Sequence, residues 1–391
     1  RGLGDVYKRQ GDGRGCHDIR RAGVRLLAEC WFPIPGLAHR PRAESIVMSL
    51  HRPARLICGL GIATLALTAV SACSTNTSDD ATAAGATSVE NCGVTTTVTA
   101  PPQRAVSLNQ GSTEILLSLG LADRMVGTAT WTDPVRPNLA ADNERVPRLT
   151  DNKPSFEAVL ATEPDFVTAS FGGTLGPGGV AERAQFEKLG VGTYLSPTDC
   201  VGKTGESVNA DGARTEPFTM DLVHQEIREL ARIFGVTERG EALVADLQRR
   251  QIAAAGDVEA PDVSMVFWFA DTKTPYVAGC CGSSGVIASA VGARNVFAGT
   301  KDEWPQVSWE SIAEADPTVL VLADLSRRSI DGDALDSKIA FLESNPVTRE
   351  MDAVRNRRYV VVNGADLNPS IRTVDGVEKT AAALRDWGLA R

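Results

Sequence analysis

Residues 219–255 read as a long helical tract, and on both sides of it short strands alternate with helices. Within the tract Leu222, Val223, Ile227, Leu230, Ala231 and Phe234 recur on a helical period. Gly235 interrupts the pattern, and Thr237 restarts it as an N-cap with Gly240 held inside. Upstream, Ala105-Val106-Ser107-Leu108 is a short apolar strand, Ser112-Thr113-Glu114 opens a helix that stops at Gly120, and Met125-Val126-Gly127-Thr128 is the next strand. Ser155 can cap a helix that ends before Pro164, and a strand over 165–169 runs into a Gly-rich loop over 171–179. A helix over 181–189 then leads to the strand Thr193-Tyr194-Leu195. Downstream, strands at 263–269, 319–323 and 359–362 are interleaved with helices at 284–291, 308–315 and 369–387. Strands that alternate with helices build a parallel sheet covered on both faces. The expected fold is therefore α/β: two doubly wound parallel-sheet lobes, 101–216 and 258–391, joined by one long α-helix over 217–257. In such sheets a ligand sits beyond the carboxyl ends of the strands, so the cleft between the lobes is the expected site.

The N-terminal segment carries an export signal. Arg52 and Arg55 precede an apolar run over 56–70, the small residues Ser71 and Ala72, and then Cys73. A basic start, a short apolar stretch and small residues before a cleavage point describe a secretory signal peptide. The run is shorter than the ~20 residues that a membrane span requires. Val70-Ser71-Ala72-Cys73 resembles the lipobox of bacterial lipoproteins, in which Cys73 is diacylated and becomes the new N-terminus. Two acyl chains anchor firmly where one is marginal. Met48 is the natural start of this signal. Residues 48–72 are thus read as signal peptide, 73–100 as lipidated Cys and flexible tether, and 1–47 as a non-native or read-through leader.

Residues 1–72 hold 11 of the 40 Lys and Arg and 5 of the 49 Asp and Glu, which leaves 29 basic and 44 acidic side chains and a net charge of −15. That balance argues against nucleic acid as a partner. Beyond Cys73 stand Cys92, Cys200, Cys280 and Cys281, an even number in an oxidising compartment. They are read as disulfide candidates, with all three pairings open. For the adjacent Cys280 and Cys281, a bridge from one of them to a distant cysteine is expected over a vicinal one.

Arg104-Ala105-Val106-Ser107-Leu108, Ser112-Thr113-Glu114-Ile115-Leu116, Phe156-Glu157-Ala158-Val159 and Glu163-Pro164-Asp165-Phe166-Val167 resemble the N-lobe signature of the substrate-binding proteins for cobalamin and ferric siderophores. Trp304-Pro305-Gln306-Val307-Ser308-Trp309-Glu310 and Ala315-Asp316-Pro317-Thr318-Val319-Leu320-Val321-Leu322 resemble its C-lobe signature. The resemblance runs in order from 101 to 387. It implies two α/β lobes joined by a single helix, in a lipid-anchored monomer on the extracytoplasmic face of the bacterial cell membrane. It implies delivery of ligand to the permease and ATPase subunits of an ABC importer. It also implies that Glu157 and Glu310, at matching places near the start of a helix in each lobe, pair with arginines of the permease. Carboxylates are favoured near helix N-termini and steer docking onto a basic surface.

By position at strand ends, the ligand-binding candidates are Asn109, Gln110, Trp131 and Phe171 in the N lobe. In the C lobe they are Trp268, Tyr276, Arg327, Arg328 and Arg372. Aromatic faces with Arg forks suit a large, partly apolar, anionic chelate. Each aromatic also fits an ordinary core, and Arg327-Arg328 a solvated turn. The run Gly279-Cys280-Cys281-Gly282-Ser283-Ser284-Gly285 offers backbone amides to an anion but lacks the Lys of a phosphate-binding loop. Direct capture of a bare metal ion needs converging His and carboxylates, and beyond Cys73 there is a single His, His224. A Ser-His-Asp hydrolase would have to use His224, and no Gly-x-Ser-x-Gly elbow follows a strand. No catalytic residue, cofactor or protein-held metal is expected. The expected function is capture of an iron(III)–siderophore chelate for an ABC importer. Cobalamin or haem is the alternative ligand, and an exported hydrolase the remaining rival.

Overall fold

A computed structural model describes residues 85–205, 211–256, 258–327 and 329–391. The expected leader, signal peptide, lipidated Cys73 and Arg328 lie outside the described residues. The described residues belong to one compact unit.

An antiparallel hairpin, β1 (Thr87–Asn91) and β2 (Val94–Val98), stands where the tether over 73–100 was expected. Cys92 in its turn is bridged to Cys200, and Asn91 exchanges side-chain hydrogen bonds with Leu195, so the hairpin is fastened to the lobe that follows. That lobe contains β3 (Ala105–Ser107), α1 (Gln110–Ser118), β4 (Met125–Ala129), α2 (Ala140–Asn143), β5 (Arg148–Thr150), α3 (Phe156–Leu160), β6 (Phe166–Ala169), α4 (Arg183–Glu187) and β7 (Gly192–Leu195). Its strands are all parallel in the order β5-β4-β3-β6-β7, which is doubly wound. Helices on both faces leave β3 and β6 buried at every position. Ile115, Leu116, Phe166 and Tyr194 fill the core on one face, and Val106, Leu108, Val167 and Phe186 fill it on the other.

A short ribbon, β8 (Lys203–Thr204) and β9 (Ala213–Arg214), leads to α5 (Met220–Ile233) and α6 (Thr237–Ala255). The single long helix expected over 217–257 is therefore two. Gly235 adopts φ +68°, a left-handed conformation open to glycine that ends α5. The two helices then pack closely: a Cβ on Gly240 would stand 2.5 Å from the Cβ of Ala231. With 19 residues α6 is ~28 Å long. Val244 and Leu247 belong to the core of the first lobe, and Ala254 to that of the second.

The C-terminal lobe contains β10 (Ser264–Ala270), β11 (Tyr276–Val277), α7 (Ser283–Ala290), β12 (Arg294–Asn295), α8 (Trp309–Ala315), β13 (Val319–Asp324), α9 (Leu335–Ser344), α10 (Asp352–Arg355), β14 (Tyr359–Asn363) and α11 (Thr373–Asp386). Strands β12, β13 and β14 extend the sheet parallel to β10 and to one another, but β11 runs antiparallel on β10. This sheet is mixed rather than purely parallel, because the short return between β10 and β11 cannot make the crossover that parallel neighbours need. Cys280 and Cys281 are bridged to each other. The expectation of a bridge to a distant cysteine is corrected: Cys92 and Cys200 have already satisfied one another at the edge of the first lobe.

Candidate ligand cleft

Loops leaving the carboxyl ends of β4, β6 and β7 in one lobe, and of β10, β13 and β14 in the other, border a common cleft. Its cavity is about 470 Å³. The first lobe contributes Thr132, Phe171, Gly173, Thr198, Asp199, Lys203 and Asp211. The second contributes Phe269, Ala270, Tyr276, Glu303, Trp304, Arg327, Ile330, Asn368 and Pro369.

One side of the cleft is aromatic. Phe269 and Trp304 stack at a tilt with ring centroids 4.8 Å apart, and the Arg327 guanidinium lies 5.6 Å from the Phe269 ring. Phe171 is 38% exposed and presents its ring to the cleft from the opposite lobe. The other side is ionic. Lys203 pairs with Asp199 and lies 2.8 Å from Glu303, whose other oxygen accepts from buried Arg214 at 2.9 Å. Burial depresses the Lys203 pKa, but Asp199 and Glu303 outweigh it and the net shift is upward. The Asp211 carboxyl is raised by burial and by the negative charges of Glu303 and Asp199, against the pull of Lys203. Arg327 donates to both oxygens of Asp333 at 3.3 Å. Burial opposes ionisation of Asp333, yet hydrogen bonds from Ile330, Arg327 and Ser329 hold its pKa low, so this pair is charged at neutral pH.

Of the candidates read from strand ends, Phe171, Tyr276 and Arg327 line the cleft. Gln110 lines a smaller adjoining cavity of about 40 Å³ with Glu114, Phe171 and Ser370. The other described candidates, Asn109, Trp131, Trp268 and Arg372, are placed in packing and pairing positions. Asn109 is buried and accepts from Ser170 N, Phe171 N and Thr174 Oγ1, which orients the loop carrying Phe171. Trp131 is buried with the Arg148 guanidinium 4.3 Å from its ring. Trp268 is fully buried, edge-on to Trp309 at 4.7 Å, and donates to the carbonyls of Ala270 and Asp271. Arg372 is buried in a bidentate pair with Glu114 and donates to Pro134 O at 2.6 Å. Phe269, Trp304, Asp199, Lys203 and Glu303 line the cleft without having been singled out as ligand contacts. Adjacent residues of a strand face opposite sides, so with Trp268 buried in one core Phe269 turns the other way; the alternation is in the sequence, but which of the two is buried is not.

Glu157 and Glu310 are both exposed in the first turn of a helix. The two starts match: Ser155 caps α3 by accepting from Ala158 N, and Ser308 caps α8 by accepting from Ser311 N, each at 3.1 Å. Among the described residues no group of three or more His, Cys, Asp or Glu is placed to hold a metal ion, and no helix is long and apolar enough to cross a membrane.

A family profile described as periplasmic binding protein matches residues 106–364, from β3 to the turn after β14, and so spans both sheets and all of the cleft lining except Asn368 and Pro369. The chain belongs to the periplasmic binding protein family. The vitamin B12-binding protein of Vibrio campbellii (strain ATCC BAA-1116) is 26% identical over 236 residues, covering 60% of this chain and 74% of that protein. A periplasmic binding protein from Veillonella parvula DSM 2008 matches with a TM-score of 0.65 at 25% identity, over 77% of this chain and 98% of that one. A structure described as an ABC-type Fe3+-hydroxamate transport system, from Saccharomonospora viridis DSM 43017, matches with a TM-score of 0.61 at 25% identity, over 76% of this chain and 98% of that one.

Proposed function

We propose that this chain is the substrate-binding lipoprotein of an ABC importer, which captures an iron(III)–siderophore chelate outside the cytoplasmic membrane and presents it to the permease. The observation that carries this reading is the cleft between the lobes, where Phe171, Phe269, Tyr276 and Trp304 offer apolar faces to a cavity of about 470 Å³. A siderophore saturates its iron with its own oxygen donors. The protein then has only to recognise the outer surface of the chelate, by stacking and shape. The vitamin B12 and Fe3+-hydroxamate proteins named above are both named for large metal chelates, which supports the same ligand class. Cys73 supplies the anchor in this reading, and Glu157 and Glu310 the contacts to the permease. Binding is non-covalent, and capture requires no bond to be made or broken in the ligand.

Cobalamin is the second reading, favoured by the likeness to the vitamin B12-binding protein. Tryptophan-fluorescence titration of the exported chain separates the two, because Trp304 lines the cleft. Ferric hydroxamates, ferric catecholates, ferric citrate, haem and cobalamin form the panel. Submicromolar quenching by a ferric chelate, absent for the iron-free chelator, is the expected result. Selective binding of cobalamin or haem replaces the ligand and keeps the transport role, and silence toward every member overturns the proposal.

A further inference from the structure

The cleft is aromatic on one side and ionic on the other, and its charges are already spent on one another. Lys203 is held between Asp199 and Glu303, and Arg327 is paired with Asp333. Arg214 lies behind Glu303 and is committed to it. Among the described lining residues, Asp199, Asp211 and Glu303 oppose Lys203 and Arg327, so acidic groups outnumber basic ones. Arg372, which the strand-end reading offered to the ligand, is buried against Glu114 and unavailable. No described cation of the lining therefore waits for an anion.

We infer that the cleft selects a ferric chelate of zero or positive net charge, the tris-hydroxamate class, and rejects the triply anionic tris-catecholate class. This rests on the reading of the cleft as a chelate site. A tris-hydroxamate surrounds iron with three monoanionic groups that cancel its charge, and its hydrocarbon spacers suit the faces of Phe171, Phe269 and Trp304. A tris-catecholate carries three residual charges into a desolvated space that faces Asp199, Asp211 and Glu303. Binding it would require breaking Lys203 or Arg327 away from its carboxylates, and separating such a pair leaves a buried charge uncompensated. The surplus of acidic side chains over the exported part, net −15, repels the same ligand at longer range.

The test titrates the exported chain with three chelates of graded charge: ferrioxamine B, which bears one ammonium group, its N-acetyl derivative, which is neutral, and ferric enterobactin, which is triply anionic. The two hydroxamates are expected to quench tryptophan fluorescence with similar affinity, and the catecholate to bind roughly a hundredfold more weakly or not at all. Raising the salt concentration should narrow that gap, since its origin is electrostatic. Glu303→Gln removes one negative charge from the cleft and leaves Lys203 paired with Asp199 alone, so it should improve catecholate binding by about tenfold, equivalent to about 1.4 kcal/mol, while leaving the acetylated hydroxamate nearly unchanged. Asp211→Asn, which removes a cleft charge without touching the Arg214 pair, should move binding in the same direction and guards against a folding defect in the first variant. Equal or tighter binding of the catecholate overturns the charge inference and leaves the proposed function standing. Binding of cobalamin or haem with no response to any ferric chelate overturns both.

Discussion

Glu226 is fully enclosed on α5, with one carboxylate oxygen accepting from Ser196 Oγ and the other lacking a partner. Burial lifts its pKa to about 7, Ser196 pulls it down, and neighbouring Glu229, itself bound to Tyr194, pushes it up. In the unfolded chain the group returns to its ordinary value of 4.5. Between those two values the folded state holds a proton that the unfolded state has lost, so stability falls as pH rises from about 4.5 to 7. The loss amounts to roughly 3 kcal/mol above that window. Glu226→Gln keeps the Ser196 bond and cannot ionise, so its urea midpoint should exceed that of the parent at pH 8 by much more than at pH 5. Parallel pH profiles for the two proteins would sink this account. Single residues were also where the sequence was hardest to read. It shows which residues flank a strand end, but not which of two neighbours turns to the cleft, as Trp268 and Phe269 illustrate. Nor does it show whether an arginine is already taken: the partner of Arg372 is Glu114, 258 positions away.

At the scale of elements, the long strands and helices were legible because each repeats a period often enough to be counted. Two-residue strands such as β11 and β12, and the hairpin β1–β2, repeat nothing long enough. The Thr-rich β2 reads as a polar spacer until the disulfide and the Asn91 bonds hold it in place. Gly235 was legible as a break, but a break does not reveal whether a helix kinks or doubles back. The contact that fixes the answer is Gly240 against Ala231, where an added Cβ would stand 2.5 Å from its neighbour. Helix propensity alone says that Gly240→Ala should stabilise α6 by about 1 kcal/mol. Crowding predicts the opposite sign, a loss of about 1–3 kcal/mol from overpacking. The reciprocal exchange, Ala231→Gly with Gly240→Ala, should recover most of that loss, and a double-mutant cycle in urea measures the coupling. Additive effects would mean that the two helices do not depend on this contact.

Across the whole molecule the lobes are stitched together as well as linked. Arg372 reaches Glu114, Arg136 reaches Asp375, Arg250 on α6 joins Asp375 and Glu378, and Asp133 accepts from Ala365 N at 2.7 Å. Ser326 donates to Thr132 O at 2.7 Å beside the cleft. The Arg372–Glu114 pair is buried and costly to part, and the partly exposed links add to it, so ligand capture should involve only a small closure of the lobes. A protein that barely closes gives the permease little change of shape to recognise, and docking must then rely on fixed surface features. Glu157 and Glu310, the permease contacts proposed above, have the features that such docking requires: one stands on each lobe, both are exposed, and each is held in the first turn of a serine-capped helix. A charged contact across such an interface contributes about 1.5–3 kcal/mol, so losing one should weaken docking by roughly tenfold or more. Glu157→Ala and Glu310→Ala should therefore each reduce cellular uptake of the chelate at limiting protein, and the double variant should nearly abolish it. Chelate affinity measured by fluorescence should stay at the parental value in all three, because neither residue lines the cleft. Uptake that survives the double change would remove these glutamates from the interface. A fall in chelate affinity would instead show that they act on the cleft, and the division of labour between a rigid cleft and a charged docking face would have to be abandoned.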